Sequence, residues 1–283
     1  MTTRTDSPTA SPFGARLRTA MDERGPLCPG IDPHASLLAA WGLPDTADGC
    51  ERFAMTAVEA LAPVVSSIKP QSAFFERHGS RGVAVLEKVI AATREAGCLV
   101  ILDVKRGDIG TTAQAYADAY LDPTSPLASD AITASPYLGF GSLTPMIETA
   151  ARHGAGVFAL ALTSNPEAPR FQHARTADGG TIAGEVLAGL RTANEGAASL
   201  GSFGAVVGAT IGSTDENLDI NGPLLVPGIG AQGGTADDVR RIFGAAVRNV
   251  VPTSTREILG AGPSVQAVRD AAARANDQFA ALL

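Results

Sequence analysis

The sequence predicts a (β/α)8 barrel built as one domain. Short apolar segments alternate with longer segments whose apolar residues recur at helical spacing, and eight strands of this kind can be distinguished. The 283 residues and the hydrophobic content of 45% fit a barrel, because such folds place about 250 residues around one core. The same alternation is compatible with an open doubly wound sheet, which is the alternative.

The predicted strands are short and apolar, and most end in polar or glycine-rich loops. They span residues 27–32, 64–69, 98–105, 130–134, 156–163, 203–209, 223–226 and 247–251. Pro29 lies inside the first strand, where a central position needs the backbone N–H that proline lacks. The limits of that strand are therefore set less clearly by the sequence than those of the others.

The predicted helices follow these strands and carry apolar stripes. In the helix predicted over 81–96, Val85, Leu86, Val89 and Ile90 form one face, and Gly97 is a suitable C-terminal cap. The others span residues 47–61, 112–121, 141–153, 181–200, 235–243 and 264–283, with a short helix after Ser213. The loop over 164–180 exceeds the usual length of about 4–6 residues, and long loops of this kind often act as lids.

Composition narrows the class of partner. The formal net charge of −7 argues against a nucleic-acid partner, because nucleic-acid binding domains are basic. The three cysteines form no metal-binding pattern and favour a reduced, cytoplasmic setting. No apolar run reaches the roughly 18 residues of a membrane span, so no membrane partner is predicted. Residues 1–12 are polar and are expected to form a disordered tail before a single domain over 13–283.

The stretch from Ile101 to Thr112 carries the densest charge in the chain. In a strand, residues two apart point to the same face, so Asp103 and Lys105 can pair at the strand's carboxyl end. Asp108 follows in the loop, and two carboxylates around one lysine keep that lysine charged. A solvated salt-bridge cluster is the simpler reading. Because the charges continue a buried strand, we expect them at the mouth of a cavity.

The active site of a (β/α)8 barrel lies at the carboxyl ends of its strands. Polar side chains stand at several of these predicted ends: Asp32, Lys69 with Gln71, Asp103 with Lys105, and Thr163 with Ser164 and Asn165. Each has an ordinary explanation as a turn or surface residue when taken alone. Together they predict a lysine–aspartate array that could stabilise a developing carbanion and deliver a proton.

A glycine-rich loop over 228–234 follows the seventh strand and includes Gly230 and Gly233. It satisfies the G-x-G-x-x-G pattern, but the acid that a dinucleotide site places about 20 residues later is missing. The loops after the seventh and eighth strands of barrels commonly bind phosphate, and Arg256 could add a bidentate contact. A tight turn beside a surface arginine is the alternative. The predicted substrate is a small phosphorylated carbon acid, and spacing alone does not separate decarboxylation from isomerisation.

The segment Asp103-x-Lys105-x-x-Asp108-Ile109-Gly110-x-Thr112 resembles the signature of orotidine 5'-phosphate decarboxylases. Supporting segments lie at 28–33, 67–71, 74–76 and 226–232, and the Lys-Pro-Gln and Phe-Phe-Glu pieces resemble the longer bacterial subgroup. The resemblance implies decarboxylation of orotidine 5'-phosphate to UMP in pyrimidine biosynthesis, without metal or cofactor. It also implies a homodimer.

The resemblance assigns roles residue by residue. Lys105 would protonate C6, Asp103 would lie beside the departing carboxylate, and Lys69 would pair with Asp103 and a ribose hydroxyl. Asp108 and Thr112 would reach into the neighbouring subunit's site. The remaining substrate-binding residues would be Asp32 for ribose, Ser164 for pyrimidine, and Gln232, the amides around Gly230 and Gly233, and Arg256 for phosphate. The stretch before Arg256, residues 252–255, departs from the usual pattern of the family.

Two rivals remain. One is a related barrel, such as a metal-dependent keto-sugar-phosphate decarboxylase or a sugar-phosphate epimerase. The other is a nucleotide-binding barrel without catalysis. The complete lysine–aspartate set favours an enzyme over the second rival.

Overall fold

Eight parallel strands form one sheet in chain order in the computed structural model, which describes residues 11–230 and 233–280. The strands are β1 Gly30–Ile31, β2 Ser67–Pro70, β3 Leu99–Arg106, β4 Ala131–Ala134, β5 Gly156–Leu162, β6 Phe203–Val207, β7 Leu224–Val226 and β8 Val250–Pro252. The N–H of Cys28 donates to the carbonyl of Pro252 at 2.9 Å, and that of Gly30 donates to Ser254 at 3.1 Å. These bonds join the two edges, so the sheet is a closed (β/α)8 barrel, as predicted, and the open sheet is excluded.

Helices surround the barrel. They are α1 Phe13–Arg24, α2 Ala35–Ala40, α3 Ala47–Leu61, α4 Ala73–Glu76, α5 Gly79–Glu95, α6 Gly110–Leu121, α7 Thr144–His153, α8 Ala168–Gln172, α9 Ile182–Ala193, α10 Ala236–Phe243, α11 Arg256–Leu259 and α12 Val265–Ala280, with 3₁₀ turns at Phe140–Leu143 and Gly244–Asn249. Threonine side chains cap α3, α9 and α10; at α10, Thr235 and Asp238 form a capping box.

The first helix closes the amino-terminal end of the barrel. Its apolar face, including Phe13, Leu17 and Met21, forms one buried cluster with interior side chains from six strands, β3 to β8. Its polar groups bond to residues that immediately precede strands: Arg16 contacts Asp130 and Gly154, Gly14 contacts Ser202, and Arg24 contacts Gly97. Because α1 fills one end of the barrel, the opposite end, where the strands finish, is left for the site.

Pro29 is accommodated by the local pattern of the first strand. Cys28 and Gly30 donate towards β8, while the carbonyl of Pro29 accepts from the N–H of Lys69 at 2.9 Å. Because Pro29 lacks a backbone N–H, the sheet loses at most one ladder hydrogen bond, on the side facing β2. The regular ladder of β1 shrinks to Gly30–Ile31, shorter than the predicted 27–32.

Several predicted boundaries are wrong. The segment after Ser213 forms no helix, and its turns are held by local bonds such as the one from Glu216 N–H to Thr214 Oγ1. The last strand begins at Val250 and not at 247, because a 3₁₀ turn precedes it. The helix expected to reach residue 200 ends at Ala193. Of the expected tail, residues 1–10 lie outside the described residues, while the described chain enters α1 at Phe13.

Candidate active site

The carboxyl ends of the strands surround a cavity of about 500 Å³. Its apolar floor includes Leu160, Val206 and Leu225, which belong to β5, β6 and β7. Its polar wall includes five charged residues: Asp32, Lys69, Asp103, Lys105 and Arg256. The first four were predicted from their positions at strand ends, and the fold brings them together.

Two aspartates bracket the ammonium of Lys69 deep in this wall. Lys69 Nζ lies 3.2 Å from Asp103 Oδ2 and 3.8 Å from Asp32 Oδ1. All three side chains are at least nine-tenths buried. Lys105 differs, because its side chain is 44% exposed while its Nζ contacts Asp103 Oδ1 at 2.6 Å. Lys105 is therefore the lysine that can reach a ligand, and Lys69 is held between carboxylates.

This arrangement shifts the pKa values of the buried pair. Burial alone would raise the pKa of Asp103, but the ammonium groups of Lys69 and Lys105 and the hydrogen bonds from Lys105 and Thr133 outweigh it and lower that pKa to about 2. Burial would lower the pKa of Lys69, but Asp32 and Asp103 outweigh it and raise that pKa. Lys69 and Asp103 are therefore both charged near neutral pH.

Lys105 sits in an irregular stretch of backbone. Its φ is +46°, a conformation rare for residues other than glycine, and the β3–β4 register shifts between Leu102 and Arg106. The N–H of Lys105 donates to Thr133 Oγ1 at 2.9 Å, and that hydroxyl donates to Asp103 Oδ1 at 2.7 Å. Thr133 was not predicted as a site residue, because a β-branched residue in an apolar strand looks like ordinary packing.

The loop after β8 fixes Asp32. Its Oδ2 accepts from Thr255 Oγ1 at 3.0 Å, while its Oδ1 is buried with no hydrogen-bond partner among the described residues. Ser254 Oγ, which belongs to another residue lining the cavity, is in the same condition. Buried polar atoms are normally satisfied, so unpaired ones on residues that line a cavity suit a polar ligand. Thr255 and Ser254 lie in the stretch that departs from the family pattern, and their hydroxyls were not predicted to take part.

Gly228 and Ile229 of the glycine loop line the same cavity as Arg256, whereas Gly230 and Gly233 do not line it. Gly228, Gly230 and Gly233 have φ values of +99°, +69° and +92°, which side chains disfavour. The N–H of Gly230 donates to Gly234, and that of Gly233 donates to Gly230, so these two amides are used within the loop. The guanidinium of Arg256 is exposed, and no carboxylate of a described residue lies within 4 Å of it. Gln232 falls outside the described residues.

The remaining predicted residues lie away from the cavity of their own chain. Asp108 and Thr112 do not line it; the Asp108 carboxylate accepts from the N–H of Ile109, and Thr112 is exposed on α6. Ser164 lines an adjoining cavity of about 180 Å³. Its neighbour Thr163 lines both cavities and is bonded to Gln172, at the end of α8 in the long loop.

A second charged group braces the outside of β3. The guanidinium of Arg106 contacts Glu76 Oε1 at 2.5 Å and the Tyr120 hydroxyl at 3.2 Å, and it lies over the ring of Tyr116. Arg106 directly follows Lys105, so this contact fixes the strand end that carries the lysine. It also explains why a glutamate follows the two phenylalanines at 74 and 75: Phe74 lines the cavity, Phe75 is buried, and Glu76 holds Arg106.

Two features are absent from the residues that the structure describes. No group of three or more histidine, cysteine, aspartate or glutamate side chains is arranged to hold a metal ion. No helix combines the length and apolar character needed to cross a membrane.

Known proteins match this chain over nearly all of its length. A sequence model of the "Orotidine 5'-phosphate decarboxylase / HUMPS family" matches residues 25–271. The orotidine 5'-phosphate decarboxylase of Nocardioides sp. is 66% identical over 95% of this chain and 98% of its own length. That of Streptomyces coelicolor is 61% identical over 93% and 95%.

Solved structures agree. A crystal structure from Streptomyces avermitilis matches with a TM-score of 0.95 and 58% identity, covering 99% of both chains. The OMP decarboxylase of Leishmania donovani matches with a TM-score of 0.73 and 30% identity, covering 96% of this chain and 98% of its own. With the barrel, the lysine–aspartate array and these matches in hand, the chain belongs to the orotidine 5'-phosphate decarboxylase / HUMPS family.

Proposed function

We propose that this chain decarboxylates orotidine 5'-phosphate to UMP and thereby serves pyrimidine biosynthesis. The observation that carries the proposal is the array of Asp32, Lys69, Asp103 and Lys105 on one wall of the cavity. The family name covers more than one chemistry, but the relatives that are more than 60% identical are named orotidine 5'-phosphate decarboxylase.

The array suits a reaction that leaves charge on carbon. When CO2 departs from C6 of the pyrimidine, the electron pair of the broken C–C bond stays on C6, and no conventional electron sink accepts it. Fixed charges that are already oriented can stabilise such a carbanion, because they need not reorganise during the reaction. Lys105 is the proton donor in this proposal, since its side chain is partly exposed and its Nζ is held by Asp103 at 2.6 Å.

The other groups of the array orient the reacting atoms. Asp103 lies beside the departing carboxylate, where its negative charge opposes that of the substrate. Lys69 holds Asp103 and contacts a ribose hydroxyl, and Asp32 accepts from ribose through Oδ1, the oxygen without a hydrogen-bond partner among the described residues. Each of these contacts uses a group whose position is fixed by burial, which favours a defined substrate geometry.

The phosphate lies beside Arg256 and the glycine-rich loop in this proposal. Arg256 supplies a bidentate guanidinium, and Gln232 and backbone amides of the loop around Gly230 and Gly233 complete the grip. Because the amides of Gly230 and Gly233 are bonded within the loop, they become available only if the loop rearranges when phosphate binds. Ser164 lines the adjoining cavity, so in this proposal it contacts the pyrimidine only if its own loop also rearranges when substrate binds.

The functional unit in this proposal is a homodimer. Asp108 and Thr112 lie outside their own chain's cavity, on the loop and helix that follow β3. Between them Ile109 is 62% exposed, as expected of an apolar residue that packs against another copy. Asp108 and Thr112 would then complete the cavity of the neighbouring subunit. The thiols of Cys28, Cys50 and Cys98 are free and buried, which fits the cytoplasmic setting we propose.

The decisive experiment measures CO2 release from orotidine 5'-phosphate by the purified protein, with and without a metal chelator. We expect full activity in both conditions, since the proposal assigns no cofactor. Activity that chelator abolishes and a divalent ion restores would favour the metal-dependent rival. A protein that binds UMP but releases no CO2 would be a binding module.

A further inference from the structure

We infer that the hydroxyl of Thr133 is a positioning group for decarboxylation, because it orients the Asp103 carboxylate and secures the bulge that presents Lys105 to the cavity. This inference rests on the proposed function. Thr133 lies in β4, is 1% exposed, and lines the cavity. Its role is indirect, since it acts through Asp103 and Lys105.

The bulge explains why the chain needs this side chain. The β3–β4 pairing joins Leu102 to Ile132 and resumes only at Arg106 with Ala134. Residues 103–105 therefore face the single residue Thr133, and the ladder leaves the N–H of Lys105 without a backbone carbonyl. The Thr133 hydroxyl accepts that N–H at 2.9 Å, so a side chain replaces the missing ladder bond.

The same contact fixes the direction of the hydroxyl proton. A threonine hydroxyl carries one proton, and an ionised carboxylate only accepts. Because the Lys105 N–H already donates to Thr133 Oγ1, the threonine proton is directed at Asp103 Oδ1, 2.7 Å away. That oxygen also accepts from Lys105 Nζ at 2.6 Å. One hydroxyl thus ties the backbone of the lysine to the carboxylate that its ammonium contacts.

Loss of the hydroxyl would leave both partners incompletely satisfied. The lowered pKa of Asp103 has this hydrogen bond among its causes, so the carboxylate would lose one of the groups that hold it ionised and in one orientation. Water could not easily replace the hydroxyl in Thr133→Val, because the added methyl fills a site that is 1% exposed. The strained φ of Lys105 would also lose its anchor.

The test compares Thr133→Val, which keeps the shape, with Thr133→Ser, which keeps the hydroxyl. We expect kcat for orotidine 5'-phosphate to fall roughly ten- to a hundred-fold in Thr133→Val, the range for losing one hydrogen bond to a charged group. UMP lacks the carboxylate that faces Asp103, so its inhibition constant should change by less than about threefold. Thr133→Ser should recover most of the lost rate, because serine retains the donor and acceptor.

The matched control is Thr93→Val. Thr93 is fully buried, and its hydroxyl bonds only to Val89 within α5, away from the cavity. This substitution removes the same atom with the same burial, so it should leave kcat unchanged. If Thr133→Val does not fold, Thr133→Ala and Thr133→Ser replace it as a pair that differs by the hydroxyl alone.

The outcomes separate the two proposals. A wild-type protein that releases CO2 together with a Thr133→Val variant of equal kcat would overturn this inference and leave the proposed function intact. Equal losses in the serine and valine variants would also overturn it, because keeping the hydroxyl would then not preserve the rate. A wild-type protein without CO2 release would overturn the proposed function itself, and with it this inference.

Discussion

The ammonium nitrogen of Lys69 lies 3.2 Å from the carboxylate of Asp103, and both side chains are more than nine-tenths buried. A lysine that served only to touch substrate would be expected to reach into open space. Lys69 instead occupies the position between Asp103 and Asp32, whose carboxylates would otherwise repel each other in a poorly solvated wall. Its charge therefore serves the stability of the array as well as its chemistry.

Lys69→Met should destabilise the fold by about 3–5 kcal/mol at pH 7, because it leaves two buried carboxylates without their shared cation. The control is Lys88→Met, which removes an exposed lysine paired with Glu51 and should cost less than about 1 kcal/mol. Urea unfolding followed by the fluorescence of Trp41, the single tryptophan, gives both values. A loss in Lys69→Met no larger than in the control would contradict this account.

The lowered pKa of Asp103 predicts a pH dependence of stability. In the folded state that pKa is about 2, against about 3.9 in an unfolded chain, so the group contributes stability that is fully present above about pH 5. The contribution, about 2–3 kcal/mol, is lost as the pH falls towards 2. We expect the difference in unfolding free energy between wild type and Asp103→Asn to shrink over that window. A difference that stays constant from pH 6 to pH 3 would show that the charge of Asp103 contributes nothing.

Lys105→Ala should lose most turnover and keep nucleotide binding. The loss expected for removing a general acid is about 10²- to 10⁴-fold in kcat. Because the Lys105 side chain is 44% exposed and is not part of the core, UMP binding and stability should change little. Single-turnover CO2 release and UMP titration measure the two effects. Lys88→Ala, an exposed lysine outside the cavity, is the control, and a near-wild-type rate in Lys105→Ala would refute the proton-donor role.

Mixing Lys105→Ala with Asp108→Ala tests the shared site. If Asp108 completes the neighbouring subunit's cavity, a hybrid dimer has one intact site, and a random equal mixture should regain about one quarter of wild-type activity. The control mixes Lys105→Ala with Asp103→Asn, whose defects both lie in the chain's own cavity, so each hybrid site keeps one defect. Each mixture is assayed after subunit exchange. No recovery in the first mixture would mean that each site is self-contained.

Arg256→Ala should weaken UMP binding roughly ten- to a hundred-fold and uridine binding far less, because the guanidinium is assigned to the phosphate alone. Calorimetric titration of both ligands gives the comparison. Arg240→Ala is the control, since Arg240 is also exposed but pairs with Asp237 on α10. Equal weakening of nucleotide and nucleoside would remove Arg256 from the phosphate site.

The sequence predicted the elements whose signals are local. The barrel followed from alternating apolar segments, and the cluster of Asp32, Lys69, Asp103 and Lys105 followed from their places at strand ends. The pairing of Asp103 with Lys105 was confirmed, although the structure reaches it through a bulge with positive φ at Lys105 and not through regular strand geometry.

Roles that depend on contacts with residues distant in sequence could not be predicted. Thr133 and Thr255 matter because of what lies across neighbouring strands, and no local pattern distinguishes them from packing or loop residues. Arg106 and Glu76 stand 30 positions apart and meet only in the folded barrel. The helix α1 was not among the predicted elements although Phe13, Leu17 and Met21 recur at helical spacing, since charged residues alternate with them.

The position of α1 also sets an order for biosynthesis. Phe13 and Leu17 leave the ribosome first, yet their apolar cluster includes Val251, more than two hundred residues later. Contacts so distant along the chain form slowly, because the entropy cost of closing a long loop comes before the energy gained from the contacts. Until β8 has been translated, α1 lacks part of its final packing surface, and its apolar face remains accessible to chaperones.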